Sequence, residues 1–257
     1  MCLLALAWKA HPDFALILAG NRDERHARAS AAAGLWSDAP QVLAGRDLEA
    51  GGTWLGATLG GRIAVVTNYR EGLNPAKAPR SRGALTADFL TGGSSPQAYL
   101  AEVQHSAGEY AAFSLICGDG DSLWYFSNRG GDPKRVAPGI HALSNHLLDT
   151  PWPKVQTAKA RLKLLLDSDA VTNDALFRLL ADRTPAPLDT ALPDTGIGPE
   201  LERRVSAAFV QDPVYGTRCS TLLLQDKHGN MRFAERRFDT TGEMIETRLF
   251  QIADGLS

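Results

Sequence analysis

The chain has 257 residues, 44% hydrophobic and 22% charged, with a formal net charge of -2 at pH 7. This composition suits one domain over residues 1–257 that is large enough to bury a sizeable core. Its densest basic stretch, Lys77 to Arg82, is interrupted by proline, and no apolar run nears the ~18 residues needed to span a bilayer, so neither a nucleic-acid partner nor a transmembrane segment is expected.

In chain order, Leu3–Trp8 and Phe14–Ala19 are two short apolar runs separated by Lys9, His11 and Asp13. The first lacks the positive flank of a secretory signal, and the pair reads as a β-hairpin. A loop rich in alanine and charge follows. Next come strands at Thr53–Thr58 and Arg62–Thr67 around Gly60-Gly61, then helices at Ser81–Leu90 and Ser95–Gln104, the second opened by Ser95-Pro96. A second β block covers Ala111–Cys117, Ser122–Ser127 and Ile140–Ser144. Helices return at Val155–Leu166, after a Thr150-Pro151 cap, and at Asn173–Leu180. The proline-rich 184–199 stretch is an irregular connection, followed by a short helix over Glu200–Phe209. Strands at Ser220–Gln225, Met231–Arg237 and Met244–Ile252 close the chain. Strands arriving as hairpins argue for antiparallel sheets, and two such sheets faced by helices on both outer sides use every element.

Cys2 stands directly behind Met1. Removal of Met1 would leave a thiol and a free α-amine on one residue, a nucleophile beside a base that is partly unprotonated near neutral pH. The other cysteines, Cys117 and Cys219, make an odd count with no close spacing, which argues against a disulfide framework and for a reducing compartment, the cytoplasm. Both fall in or next to apolar strands and read as buried, unreactive thiols.

The hairpin brings the end of the second strand, Asn21-Arg22-Asp23-Glu24, beside Cys2. An arginine there favours thiolate and a carboxylate can hold the α-amine. Alternation sends Arg22 and Asp23 to opposite faces of an extended segment, so one of them faces the thiol. Further polar groups mark strand ends: Asn68, Tyr69 and Arg70; Ser144-Asn145; and Gly216-Thr217-Arg218. An asparagine amide can donate to an oxyanion and an arginine can bind a carboxylate. Trp54, in a glycine-rich turn, and Tyr69 are candidate walls of a cleft. No zinc, Walker, dinucleotide or serine-elbow motif is present.

These blocks, taken together as Met1-Cys2, Asn21-Arg22-Asp23-Glu24, Gly51-Gly52-Thr53-Trp54, Thr67-Asn68-Tyr69-Arg70, Leu143-Ser144-Asn145 through Asp149-Thr150-Pro151-Trp152-Pro153-Lys154, and Tyr215-Gly216-Thr217-Arg218, resemble the NRDE-motif family, also called the transport and Golgi organisation protein 2 family. That family is similar to N-terminal nucleophile hydrolases of the penicillin V acylase and bile salt hydrolase group. The resemblance implies a four-layer αββα sandwich of α+β class. It implies Cys2 as nucleophile, Asp23 orienting the amine, Asn145 donating to an oxyanion and Arg218 supporting the site. Arg22, Asn21, Asn68, Tyr69 and Trp54 are the candidate substrate contacts. Family members are tied to haem trafficking and to lipid or acyl-CoA homeostasis. Two functions follow as expectations: a hydrolase of a non-peptide amide needing no cofactor or metal, or a carrier of haem or an acyl metabolite.

Overall fold

The computed structural model describes residues 2–73 and 78–253; Met1 and Lys77 lie outside them. The first hairpin joins β1 (Cys2–Trp8) to β2 (Phe14–Arg25). All seven residues of β1 are buried, because both of its faces are covered. Leu4, Leu6 and Trp8, with Leu16 and Leu18 of β2, point into a core shared with the other sheet. Leu3, Ala5 and Ala7, with Ile17 and Ala19, point the other way against helices. A buried Leu contributes about 1.5–3 kcal/mol, so this alternation fixes the register of the hairpin.

The next strands are β3 (Ser30–Trp36), β4 (Ala39–Asp47), β5 (Leu55–Thr58) and β6 (Ile63–Asn68). Here β3 and β4 correct the sequence reading, which made this stretch a loop. Four of their residues, Ala33, Val42, Leu43 and Ala44, are at most 1% exposed, so burial overrides the low strand preference of alanine. Helices α1 (Arg82–Thr91) and α2 (Pro96–His105) follow, with Ser81 and Ser95 as side-chain N-caps. Strands β7 (Phe113–Gly118), β8 (Leu123–Ser127), β9 (Lys134–Arg135) and β10 (Gly139–Leu143) come next. Helix α3 (Pro153–Asp167) starts on Trp152 rather than on a Thr-Pro cap, with Pro153 in its first turn. Helix α4 (Asn173–Leu180) is capped by Thr172. Helix α5 (Pro199–Arg204) stops five residues short of the expected Phe209. The last hairpins are β11 (Tyr215–Asp226), β12 (Met231–Phe238) and β13 (Met244–Ile252).

The strands form two antiparallel sheets. One runs β10-β1-β2-β11-β12-β13 and the other, a simple meander, β3 to β9. Their inner faces share one apolar core; α1 and α2 pack on the outside of the meander, α3 and α4 on the outside of the other sheet. This is the four-layer αββα order. The return of β11 beside β2 sets the residues after Tyr215 against Asn21–Arg25. No described helix is long and apolar enough to cross a membrane.

Candidate active site

Three strands carry the centre of the site. Cys2 lies opposite Arg22 across β1 and β2, and Arg22 lies opposite Cys219 across β2 and β11. All three point to the inner face, and the thiols sit two strand spacings apart, about 10 Å, too far for a disulfide without backbone movement. All three cysteines are free. The β11 ladder shifts register between Thr217 and Cys219, which leaves Arg218 outside the pairing. Its Nη1 donates to the carbonyls of Arg25, His26 and Arg28 at 3.1, 2.7 and 3.4 Å, tying down the turn after β2.

Asp23 takes the helix-facing side. Its Oδ1 accepts from Thr217 Oγ1 at 2.7 Å, and its backbone amide favours the thiolate form of Cys2. Asn21 takes that side too: its Nδ2 donates to the carbonyls of Leu180 and Ala208, and its Oδ1 accepts from Ser220. The structure therefore does not bring Asn21 to the cleft; the pleat turns it into the packing of α4.

Asn145 joins the two sheets at this end of the molecule. It is fully buried with φ of 54°, a left-handed conformation that asparagine tolerates. Its Oδ1 accepts from the backbone nitrogen of Cys2 at 3.3 Å, and its Nδ2 donates to the carbonyl of Asn68, at the end of β6, at 3.2 Å. Ser144 Oγ donates to the Cys2 carbonyl at 3.0 Å and Arg70 N–H to the Asn145 carbonyl at 2.8 Å. Both polar groups of the Cys2 backbone are thus held by the Ser144-Asn145 pair.

Cys2 lines a chamber of about 210 Å³ together with Arg22, Trp54, Asn68, Arg82 and Arg218. Gly20 lets Trp54 approach: a Cβ there would stand 3.1 Å from the indole. A groove of about 570 Å³ adjoins the chamber, shares Asn68 and Arg82 with it, and is lined further by Tyr69 and Asn145. Tyr69 does not reach the chamber itself. Thr150 Oγ1 donates to the Leu147 carbonyl, so it accepts from His146 Nδ1 at 2.8 Å. That tautomer leaves Nε2 to accept from the Tyr69 hydroxyl at 2.6 Å, which fixes the ring of Tyr69.

Burial pushes the Cys2 thiol up, with Arg22 among the charges opposing it. Such a thiol needs a base to ionise. Burial also raises the Asp23 carboxyl, while the amino end of the chain and Lys154 draw it back. Lys154 is buried, donates to the Val205 carbonyl at 2.9 Å, and is lowered to about 8 by burial against the pull of Asp23. The sequence alone points to no role for Lys154 or Arg82. Both lie in the first turn of a helix, where the helix dipole disfavours cations, and that misplacement was the available signal.

The family model described as "Transport and Golgi organisation 2" matches residues 1–240. The chain belongs to this family. It is similar to the human transport and Golgi organization protein 2 homolog, 36% identical over 98% of each chain, and to the Drosophila melanogaster transport and Golgi organization protein 2, 26% identical over 97% of each. Solved structures that share its fold include N-terminal nucleophile hydrolases. They include penicillin V acylase from Agrobacterium tumefaciens, with a TM-score of 0.51 and 13% identity over 98% of this chain and 86% of that one. A mutant conjugated bile acid hydrolase from Clostridium perfringens has a TM-score of 0.50 and 10% identity over 97% of this chain and 92% of that one.

Proposed function

We propose that this chain is an N-terminal cysteine hydrolase that cuts a non-peptide amide once Met1 is removed, working in a reducing compartment, the cytoplasm. The observation that carries the reading is the setting of Cys2: its side chain opens into the arginine-lined chamber while its backbone nitrogen is held by Asn145. That nitrogen would be the α-amine of the processed chain. It takes the thiol proton, and the thiolate, favoured by Arg22, attacks the amide carbonyl carbon. Charge then develops on the carbonyl oxygen. The second N–H of Asn145 and the amide of Asn68, whose side chain is left without a partner among the described residues, are the donors available to it. The C–N bond breaks as the α-ammonium returns its proton to the leaving amine. Water then adds to the thioester and loses its proton to the α-amine, and the C–S bond breaks to release the carboxylic acid. Asp23, with Lys154 behind it, orients the amine.

The test is amine release from a panel of acyl amides by the processed protein and by Cys2→Ala. Turnover that Cys2→Ala loses by three orders of magnitude or more supports the reading; equal rates contradict it. The alternative, a carrier of haem or an acyl metabolite, uses the same walls. Among the described residues no histidine lines either cavity, so haem ligation would fall to Cys2, Cys219, Tyr69 or Tyr215. A Soret band on haem addition without amide turnover is the result that favours the carrier.

A further inference from the structure

The chamber beside Cys2 carries more positive charge than its own acids balance. Among the described residues, seven arginines and four acidic residues line it, and one of the four, Asp23, turns its carboxylate to the helix side. Four of the arginines have carboxylate partners: Arg28 with Asp47 at 2.6 Å, Arg46 with Asp38, Arg80 with Asp88 at 3.1 Å, and Arg237 with Glu246 at 3.5 Å. Arg22, Arg82 and Arg218 are different. Arg22 has Glu24 and Asp47 only at 3.7 Å, and its Nη1 is buried with no hydrogen-bond partner. Arg82 donates only to the Ala112 carbonyl, and Arg218 donates to backbone carbonyls through Nη1 alone. None of the three has a hydrogen-bonded carboxylate among the described residues.

Crowding makes this arrangement costly. Burial lowers both Arg218 and Arg82; Arg22 and Arg237 repel the first and Arg28 the second, while Glu24 pulls each back. Guanidinium forks left with spare donors around one small volume are what recognises a multiply charged oxyanion, bidentate and from several sides. The adjoining groove differs: among the described residues its five arginines and four carboxylates come closer to balance, and Ile197, Leu201, Val205 and Val210 cluster as an apolar stretch of its wall. An amide has two sides. The apolar stretch of the groove suits the acyl chain, which leaves the cationic chamber for the amine side.

We infer that the substrate is an acylated amine whose amine part is a dianion, a dicarboxylate or a phosphate monoester, held by Arg22, Arg82 and Arg218. This rests on the hydrolase reading for the placing of the amide. The recognition itself can be read without turnover. Binding is measured by calorimetry on Cys2→Ala protein with N-octanoyl-aspartate, N-octanoyl-asparagine and N-octanoyl-asparaginamide, which carry two, one and no negative charges. N-octanoyl-phosphoethanolamine and N-octanoyl-ethanolamine make a parallel phosphate pair.

Affinity is expected to rise at least tenfold from the neutral to the doubly charged member of one or both series, and the steeper series names the anion. Arg82→Gln and, separately, Arg22→Gln are expected to narrow that ratio at least threefold, with folding checked by the thermal midpoint; Arg82→Lys, which keeps the charge, is expected to retain part of it. Equal affinity across both series, no binding of any member, or a ratio that neither glutamine variant moves would overturn the inference. Charge-graded binding with no amine release by the processed wild-type protein would leave the anion site standing and remove the hydrolase reading. Turnover that ignores substrate charge would do the reverse.

Discussion

Arg22 stands between two thiols and is the nearest cation to Cys2 in the register of the sheet. Removing it takes away a charge that favours thiolate, so Arg22→Gln should slow iodoacetamide alkylation of Cys2 at neutral pH by about three- to tenfold. An unchanged rate would mean that Arg22 does not tune the thiol. Asn145 carries a different burden. Asn145→Ala removes the bonds to the Cys2 nitrogen and the Asn68 carbonyl and places a residue less suited to φ of 54° in a fully buried position. The expected loss is about 2–3 kcal/mol in urea denaturation. At this scale the sequence was informative where a single turn fixes geometry: the first hairpin sets Arg22 against Cys2 from the turn alone. It was uninformative about Asn21, whose polar side chain suggests a cleft but whose parity commits it to capping Leu180 and Ala208.

The elements that hold the site are the β11 irregularity, the start of α1 and the 144–153 loop. Gly52 packs so tightly on α1 that a Cβ there would run into the backbone carbonyl of Gly83. Gly52→Ala should therefore cost about 3 kcal/mol or displace the first turn of α1, and with it Arg82, from the chamber. A thermal midpoint within a degree of wild type would contradict that packing. In the loop, Asp149 accepts from the Ala142 N–H, His141 and Lys159. Burial works to raise its carboxyl, but the hydrogen bonds from His141 and Lys159 outweigh it and hold it at about 2, below the ordinary aspartate value of 3.8. A depressed carboxylate contributes stability that is complete above the unfolded value and lost as pH falls through the folded one. The contribution is about 2 kcal/mol, lost between about pH 4 and pH 2. Asp149→Asn should flatten that part of the stability curve; an unaltered slope would contradict the clamp. The position of Arg218 outside the ladder was not legible in the sequence, because it depends on β11 returning from residue 215 to pair with β2. The strands β3 and β4 were hidden for another reason. Alanine, glycine and Pro40 weaken the local strand signal, and only the neighbouring sheet for Ala33 and the helices over the outer face for Ala44 make their burial favourable.

Across the whole molecule, the starts of β1 and β11, the late residues of β2, the end of β6 and the first turn of α1 converge at one end of the sandwich. That convergence follows from the strand order, and the family's polar blocks fall on it. The chemistry proposed for this end depends on one covalent event outside the described residues, the removal of Met1. The most direct test is the mass of the N-terminal peptide, taken from protein made in cells and then quenched in acid during turnover of an acyl amide. The proposed mechanism requires a peptide that begins at Cys2 and carries the acyl group as a thioester, with the adduct missing from Cys2→Ala. A peptide that retains Met1 in the active protein, or turnover with no acyl group on Cys2, would contradict it.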